Sequence, residues 1–266
     1  MNETTYEDDS LVQEPGTLEV SHLSFAYPGG EKIYEDFNLS ATPGQIIGVT
    51  GAVACGKSTL AKTFLCEYPY EGRICFNGKE LSGMTKAEQN GMVGYLGHDP
   101  ELFNDSVRNN ILLGDDDDPE KYLKAVCFDG EVAEMEEGMD TIVGNGGVRL
   151  SGGQAQRLAL ARTLCHKRPV LILDDPFSAL DRKTEKEVFA NLRKLTADSI
   201  VILLSHRLYL FPKMDQVLWM EDGKVTAGTH EQILEKFPEY ARLYEAQADG
   251  ADAHSTQEGG LDHAEK

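Results

Sequence analysis

From residue 18 onward, apolar and polar positions alternate as in a half-buried strand. Leu18, Val20, Leu23, Phe25 and Tyr27 predict one strand, ended by the turn Pro28-Gly29-Gly30. A second strand is expected over 33–40, closed by Thr42-Pro43-Gly44. The pattern then changes to short apolar runs at 46–50, 92–97, 170–173 and 200–204, as in strands covered on both faces. Between these runs, 57–67, 154–166 and 183–195 predict helices, the last two carrying an apolar stripe. Residues 73–77 read as a further strand. Residues 217–220 and 224–227 read as a hairpin about Asp222-Gly223. Short helices are expected near 231–236 and 238–246.

Strands alternating with helices predict an α/β fold with a mostly parallel central sheet. The polar, helix-prone stretch 104–140 predicts an inserted helical subdomain over about 99–165. Residues 17–246 are expected to form the folded domain. The acidic 1–16 and the Ala/Asp/Gly/Ser/Gln-rich 247–266 are expected to be disordered tails. There is no internal repeat.

Charge sharpens this division. The 266 residues hold 45 Asp and Glu against 25 Lys and Arg, a formal net charge of −20. The two terminal segments account for −9 of it, and residues 115–140, including Asp115 to Asp118, for another −9. The remainder of the chain, at −2, is nearly neutral. Such a balance argues against broad binding to nucleic acid or anionic lipid, but leaves room for a local phosphate site. The 115–140 block reads either as a solvated helix face, the plainer alternative, or as a recognition surface for a basic loop. No apolar run approaches the roughly 20 residues that span a bilayer, so no membrane span is expected within the chain. The N-terminus lacks the basic and apolar regions of a secretory signal. Five widely spaced cysteines with no CxxC pair predict free thiols in a reducing compartment, not a zinc site.

Candidate chemistry begins directly after the 46–50 run. Gly51-Ala52-Val53-Ala54-Cys55-Gly56-Lys57-Ser58-Thr59 matches GxxxxGK[ST] between a strand and a helix. Glycines let successive backbone N–H groups turn inward on phosphate oxygens, and the helix N-terminus adds positive potential. Lys57 would reach the β- and γ-phosphates, and the Ser58 hydroxyl would bind Mg²⁺. The 170–173 strand ends in Asp174, where ligands gather at the carboxyl ends of parallel strands. Asp174 can face Mg²⁺, and the adjacent Asp175 can orient an attacking water. Leu150-Ser151-Gly152-Gly153-Gln154 opens a helix and makes a second candidate anion-binding N-terminus.

With these motifs in order, the chain resembles the nucleotide-binding domain of ABC transporters over about residues 17–245. The glycine loop is similar to the Walker A motif, 171–174 to Walker B, and Leu150 to Gln154 to the signature motif. Ser178-Ala179-Leu180-Asp181 resembles the D-loop, Ser205-His206-Arg207 the switch-histidine segment, and Tyr27 the aromatic residue that stacks on adenine. Pro100 to Val107, Thr141 to Gly144 and Gly228 to Glu231 are similar to exporter-type segments.

The resemblance implies a P-loop NTPase of ABC ATPase architecture with an N-terminal antiparallel β subdomain and an inserted helical subdomain. It implies ATP and Mg²⁺ as ligands. It implies two partners, a transmembrane permease and a second nucleotide-binding domain, at the cytoplasmic face of the membrane. Each ATP would be sandwiched between one domain's Walker motifs and the other's signature, and His206 would contact the γ-phosphate. Non-transport members working in repair or translation would carry a long coiled coil or a tandem domain, and this chain has neither.

Three positions depart from the family pattern. Asp175 stands where Glu is usual, His98 where the Q-loop Gln is usual, and Asn145 where the X-loop Glu is usual. The signature is intact while the chain's own catalytic side is altered. That combination resembles the degenerate half of a heterodimeric exporter. A homodimer using Asp175 as its base and a non-hydrolysing regulatory module are the alternatives.

Overall fold

The computed structural model describes residues 14–52 and 54–255. The chain begins with β1 (Leu18–Ala26) and β2 (Lys32–Ala41), then enters β3 (Ile46–Gly51) and α1 (Lys57–Phe64). β4 (Glu71–Phe76), β5 (Lys79–Glu80), α2 (Lys86–Met92) and β6 (Val93–Leu96) follow. The inserted region holds β7 (Asp105–Ser106), α3 (Val107–Leu112), α4 (Pro119–Ala125), α5 (Asp129–Ala133), β8 (Ile142–Val143) and α6 (Gly152–Cys165). β9 (Val170–Asp174), α7 (Arg182–Leu195) and β10 (Ile200–Leu204) return to the core. β11 (Gln216–Glu221), β12 (Lys224–Gly228), α8 (His230–Lys236) and α9 (Pro238–Ser255) complete the described chain.

Ten of these strands make one sheet in the order β5-β4-β1-β2-β12-β11-β3-β10-β9-β6. The half from β11 to β6 is parallel throughout. The half containing β1, β2, β4 and β5 is antiparallel. The halves meet at a narrow seam, where β2 and β12 pair in parallel at Glu35 and Lys224.

The apolar runs are explained by two cores, one on each side of the parallel strands. Along β10, Val201 and Leu203 face the core beneath the helical region, while Ile200, Ile202 and Leu204 face the core beneath the antiparallel half. β9 divides likewise, with Leu171 and Leu173 opposite Val170 and Ile172. Each such fully buried side chain contributes about 1.5–3 kcal/mol.

Local structure departs from expectation at four places. The 104–140 stretch is three short helices, with β7 and β8 paired across the region. Its acids are largely engaged locally. Asp117 meets Lys121 Nζ at 2.6 Å and accepts from the Tyr122 hydroxyl at 2.7 Å, contacts that hold its carboxyl down to about 2. Asp118 caps α4, and Asp115 meets His166 at 3.2 Å. Helix α6 begins at Gly152 because Ser151 and Gln154 form a reciprocal capping box. Helix α2 was not anticipated, though Thr85 and Glu88 make the same kind of cap.

The fourth departure is α9, which continues through Ser255, past Ala246 and into the segment expected to be a tail. Residues 1–13 and 256–266, the remainder of the two expected tails, lie outside the described residues, as does Val53 of the glycine loop. Among the described residues no helix is long and apolar enough to cross a membrane. All five cysteines are free thiols.

The junction of α8 and α9 has a pH consequence. His230 is buried, and its Nδ1 lies 2.7 Å from the buried Tyr240 hydroxyl. Burial pushes the imidazole below its ordinary value of 6.5. The native state therefore holds His230 neutral while the unfolded chain protonates it, so its contribution is complete above that value and falls away in more acid solution. Thermal melts between pH 7.5 and 5.5 are expected to show declining stability, with a shallower decline in His230→Gln. Parallel slopes for the two proteins would contradict this assignment.

Candidate nucleotide site

β3 runs directly into the glycine loop, and α1 starts at Lys57 with Gly56 as its cap. Gly56 has φ 104°, and a Cβ there would lie 2.4 Å from Ile33 Cγ2. Only glycine supplies both the left-handed turn and the space. Because Gly56 offers no side chain to cap α1, the first-turn amides keep their donors for an anion. Lys57 Nζ donates to the carbonyls of Gly51 at 3.2 Å and Ala52 at 3.0 Å, and lies 3.7 Å from Cys55 Sγ. Its ammonium is thus folded over the loop where phosphates would enter.

β10 lies between β3 and β9, so Asp174 at the end of β9 reaches across to α1. Ser58 Oγ donates to Asp174 Oδ2 at 3.1 Å. Burial, only partly offset by Ser58, raises the Asp174 carboxyl above its ordinary value. A carboxylate in that position gains from a cation beside it. Two hard oxygen donors at this separation fit Mg²⁺, whose remaining positions are ordinarily water and phosphate oxygens.

Asp175 takes a left-handed backbone, φ 48°. Its N–H donates to Leu204 O at 2.9 Å, and its carbonyl accepts from Gln156 Nε2 at 3.0 Å. Its Oδ1 is buried without a hydrogen-bond partner, an open acceptor at the edge of the site. Two histidines flank the aspartates. The His98 ring is raised in pKa by a hydrogen bond to its own backbone and by Asp99, Asp175 and Asp174. His206, which follows β10, is pushed below its ordinary value by desolvation and by Lys57. At neutral pH it is a neutral ring with one N–H to donate. Tyr27 is 37% exposed, its hydroxyl lies 3.3 Å from Thr59 Oγ1, and its ring meets Tyr68 edge-on at 5.4 Å.

Contacts and mutual electrostatic influence thus link Tyr27 to the glycine loop at Thr59, the loop to Asp174 through Ser58, and Lys57, Asp174, Asp175, His98 and His206 to one another, with Gly51, Ala52, Ala54, Cys55 and Gly56 forming the described part of the loop. Leu150 to Gln154 are held elsewhere. Ser151 Oγ accepts from Gln154 N–H, and Gln154 Nε2 donates to Glu131 at 2.7 Å. Arg157 meets the same carboxylate at 2.6 Å. Gly153 lies against the D-loop, where a Cβ would sit 3.1 Å from the Ala179 carbonyl. Asp181 caps α7, accepting from the N–H groups of Lys183 and Thr184. Glu131 carries no signal in the sequence as a functional position, and Arg207 is marked there only as part of the switch-histidine segment, not by its contacts. Glu131 is hidden among eleven acids, and nothing local distinguishes it.

Strand, glycine loop, helix and a strand-end aspartate across one intervening strand define a P-loop nucleotide-binding domain. Residues 34–178, more than half the chain, match the model of the ABC transporter family, and the chain belongs to that family. It is 35% identical over 262 residues to the probable multidrug resistance ABC transporter ATP-binding/permease protein YheI of Bacillus subtilis, covering 93% of this chain and 45% of that protein. It is 36% identical to the ATP-dependent lipid A-core flippase of Pseudomonas aeruginosa, covering 92% of this chain and 42% of the flippase. A bacterial Atm1-family ABC exporter solved with ATP bound superposes with a TM-score of 0.81 at 30% identity, over 89% of this chain and 43% of that one. The chain spans less than half the length of these relatives. It is an ABC nucleotide-binding domain of the exporter type.

Proposed function

We propose that this chain binds ATP and Mg²⁺ in a sandwich with a second nucleotide-binding domain, and that closing and reopening of the sandwich drives export through a transmembrane permease. In this reading the domain works at the cytoplasmic face of the membrane. Tyr27 stacks on adenine, the loop from Gly51 to Thr59 holds the phosphates, and Lys57 unfolds from the loop carbonyls to the β- and γ-phosphates. Ser58 and Asp174 hold Mg²⁺, which when bound neutralises phosphate charge. His206 donates to the γ-phosphate. Ser151 to Gln154 complete the site of the partner domain, and Asp181 contributes where the two domains meet.

The chain is further proposed to be the slow half of a heterodimer. The observation that carries this is Asp175, a carboxylate one methylene shorter than the family's Glu, beside an intact signature. The shorter side chain ends roughly 1.5 Å short of a water placed for Glu. The matching test compares single-turnover ATP hydrolysis by the isolated chain with that of a mixture containing a partner domain that bears Glu after its Walker B Asp. Slow hydrolysis alone, stimulation on mixing and loss of stimulation in Ser151→Ala are expected. Turnover of several per second by the isolated chain, abolished by Asp175→Asn, would instead establish Asp175 as a working base.

A further inference from the structure

We propose that Gln247 is a positioning residue for His206, and that through it α9 responds to the γ-phosphate of the bound nucleotide. One residue on the last described helix grips the switch segment by both edges. Its Nε2 donates to the His206 carbonyl at 2.7 Å, and its Oε1 accepts from the Leu208 N–H at 2.8 Å. The carboxamide thereby engages the backbone on each side of Arg207. Its own main-chain carbonyl accepts from Arg182 at 2.8 Å, tying the same residue to the start of α7 and so to the D-loop.

The residue between these two bonds is fixed from the opposite side. Arg207 donates to the Ser178 carbonyl at 2.7 Å and the Leu180 carbonyl at 2.9 Å, and its N–H donates to Ser205 Oγ at 3.0 Å. The D-loop therefore holds the switch segment by the Arg207 side chain, and α9 holds it by the backbone. Helix α9 is itself anchored, because the fully buried Tyr240 packs against Trp219 and Phe211. The His206 ring, by contrast, is exposed and lies within electrostatic reach of Lys57, Asp174 and Asp175. Its position is set by the backbone that Gln247 clamps.

This inference rests on the proposed contact between His206 and the γ-phosphate. If that contact draws the switch segment into place, it also tightens the Gln247 clasp, and the clasp strengthens the contact by the same factor. A general loosening of the fold would weaken all nucleotides alike. A lost clasp weakens only those that carry a γ-phosphate.

The test measures equilibrium binding of Mg·ADP and of a non-hydrolysable, γ-phosphate-bearing ATP analogue with Mg²⁺ to the full chain. The proteins are wild type, His206→Ala, Gln247→Ala and Gln247→Glu. Gln247→Ala is expected to weaken the analogue about fivefold, at the low end of measured couplings, with ADP unchanged. Gln247→Glu keeps the acceptor for Leu208 but sets a carboxylate against the His206 carbonyl, and is expected to lose discrimination in the same direction. If His206→Ala loses discrimination while both Gln247 variants keep it, or weaken ADP and analogue equally, the positioning role is overturned and the γ-phosphate role of His206 stands. If His206→Ala leaves discrimination intact, the underlying contact fails and this inference falls with it.

Discussion

Replacing Asp175 by Glu is expected to raise ATP hydrolysis at this chain's own site by about 10²-fold, since misplacement of a catalytic group by about 1 Å costs about that much. The site around it is otherwise assembled. Ser58 and Asp174 are already joined, Lys57 lies over the loop, and the Asp175 backbone is fixed by Leu204 and Gln156. In the proposed reading, what falls short is the reach of Asp175. The gain is offset by a conformational cost, because φ 48° is tolerated by Asp better than by Glu. Asp175→Glu should therefore be slightly less stable while turning over faster. Single-turnover hydrolysis in the sandwich, with the partner's site blocked, reads the rate directly. An unchanged rate would show that another departure, His98 foremost, limits the site.

The second large effect is on stability. Glu185 is fully buried on α7 and bonded to Arg207 at 2.6 Å and to the Tyr209 hydroxyl. Arg207→Met is expected to destabilise the domain by about 3 kcal/mol, the low end for breaking a buried pair because Arg207 is itself partly exposed. For a domain of this size that lowers the melting temperature by about 6–12 °C. Desolvation already raises the Glu185 carboxyl above its ordinary value despite Arg207 and Tyr209. Without the guanidinium it rises further, so the native variant holds a proton that the unfolded chain releases. Stability of the variant then falls as pH rises from 5 to 8. A variant with the same stability deficit at both ends of that range would show that Glu185 does not titrate with folding.

Legibility from the chain followed the physics of each signal. The strands of the parallel half were readable because burial on both faces leaves continuous apolar runs, as at Val170–Asp174 and Ile200–Leu204. The glycine loop was readable because its geometry demands particular residues, Gly56 above all. Short elements were not. β7 and β8 are two residues each and exist only through their pairing. The 3-10 turn Leu208–Lys213 is held by tertiary contacts, with Leu208, Leu210 and Phe211 buried. Helix α2 could have been found from Thr-x-x-Glu at Thr85 and Glu88. The residues that hold others in place, Glu131, Gln156, Arg207 and Gln247, act on partners 19 to 41 positions away, and local pattern carries no record of such pairings. Polar composition from 247 onward concealed that the helix continues and that its first such residue is bonded to the site.

The position of β3 in the sheet also orders the birth of the domain. The strand that leads into the phosphate loop is flanked by β10 and β11. Both are made long after it, the nearer beginning at Ile200. At ribosomal speeds of about 5–20 residues per second, the apolar run Ile46-Ile47-Gly48-Val49 waits about 8–30 s for its first lateral neighbour. The antiparallel half, by contrast, can close as soon as β4 emerges. A nascent chain arrested before Ile200 would thus carry a finished small sheet and an adhesive, unpaired strand. The nucleotide-binding segment is among the first parts of the domain synthesised and among the last to acquire its shape.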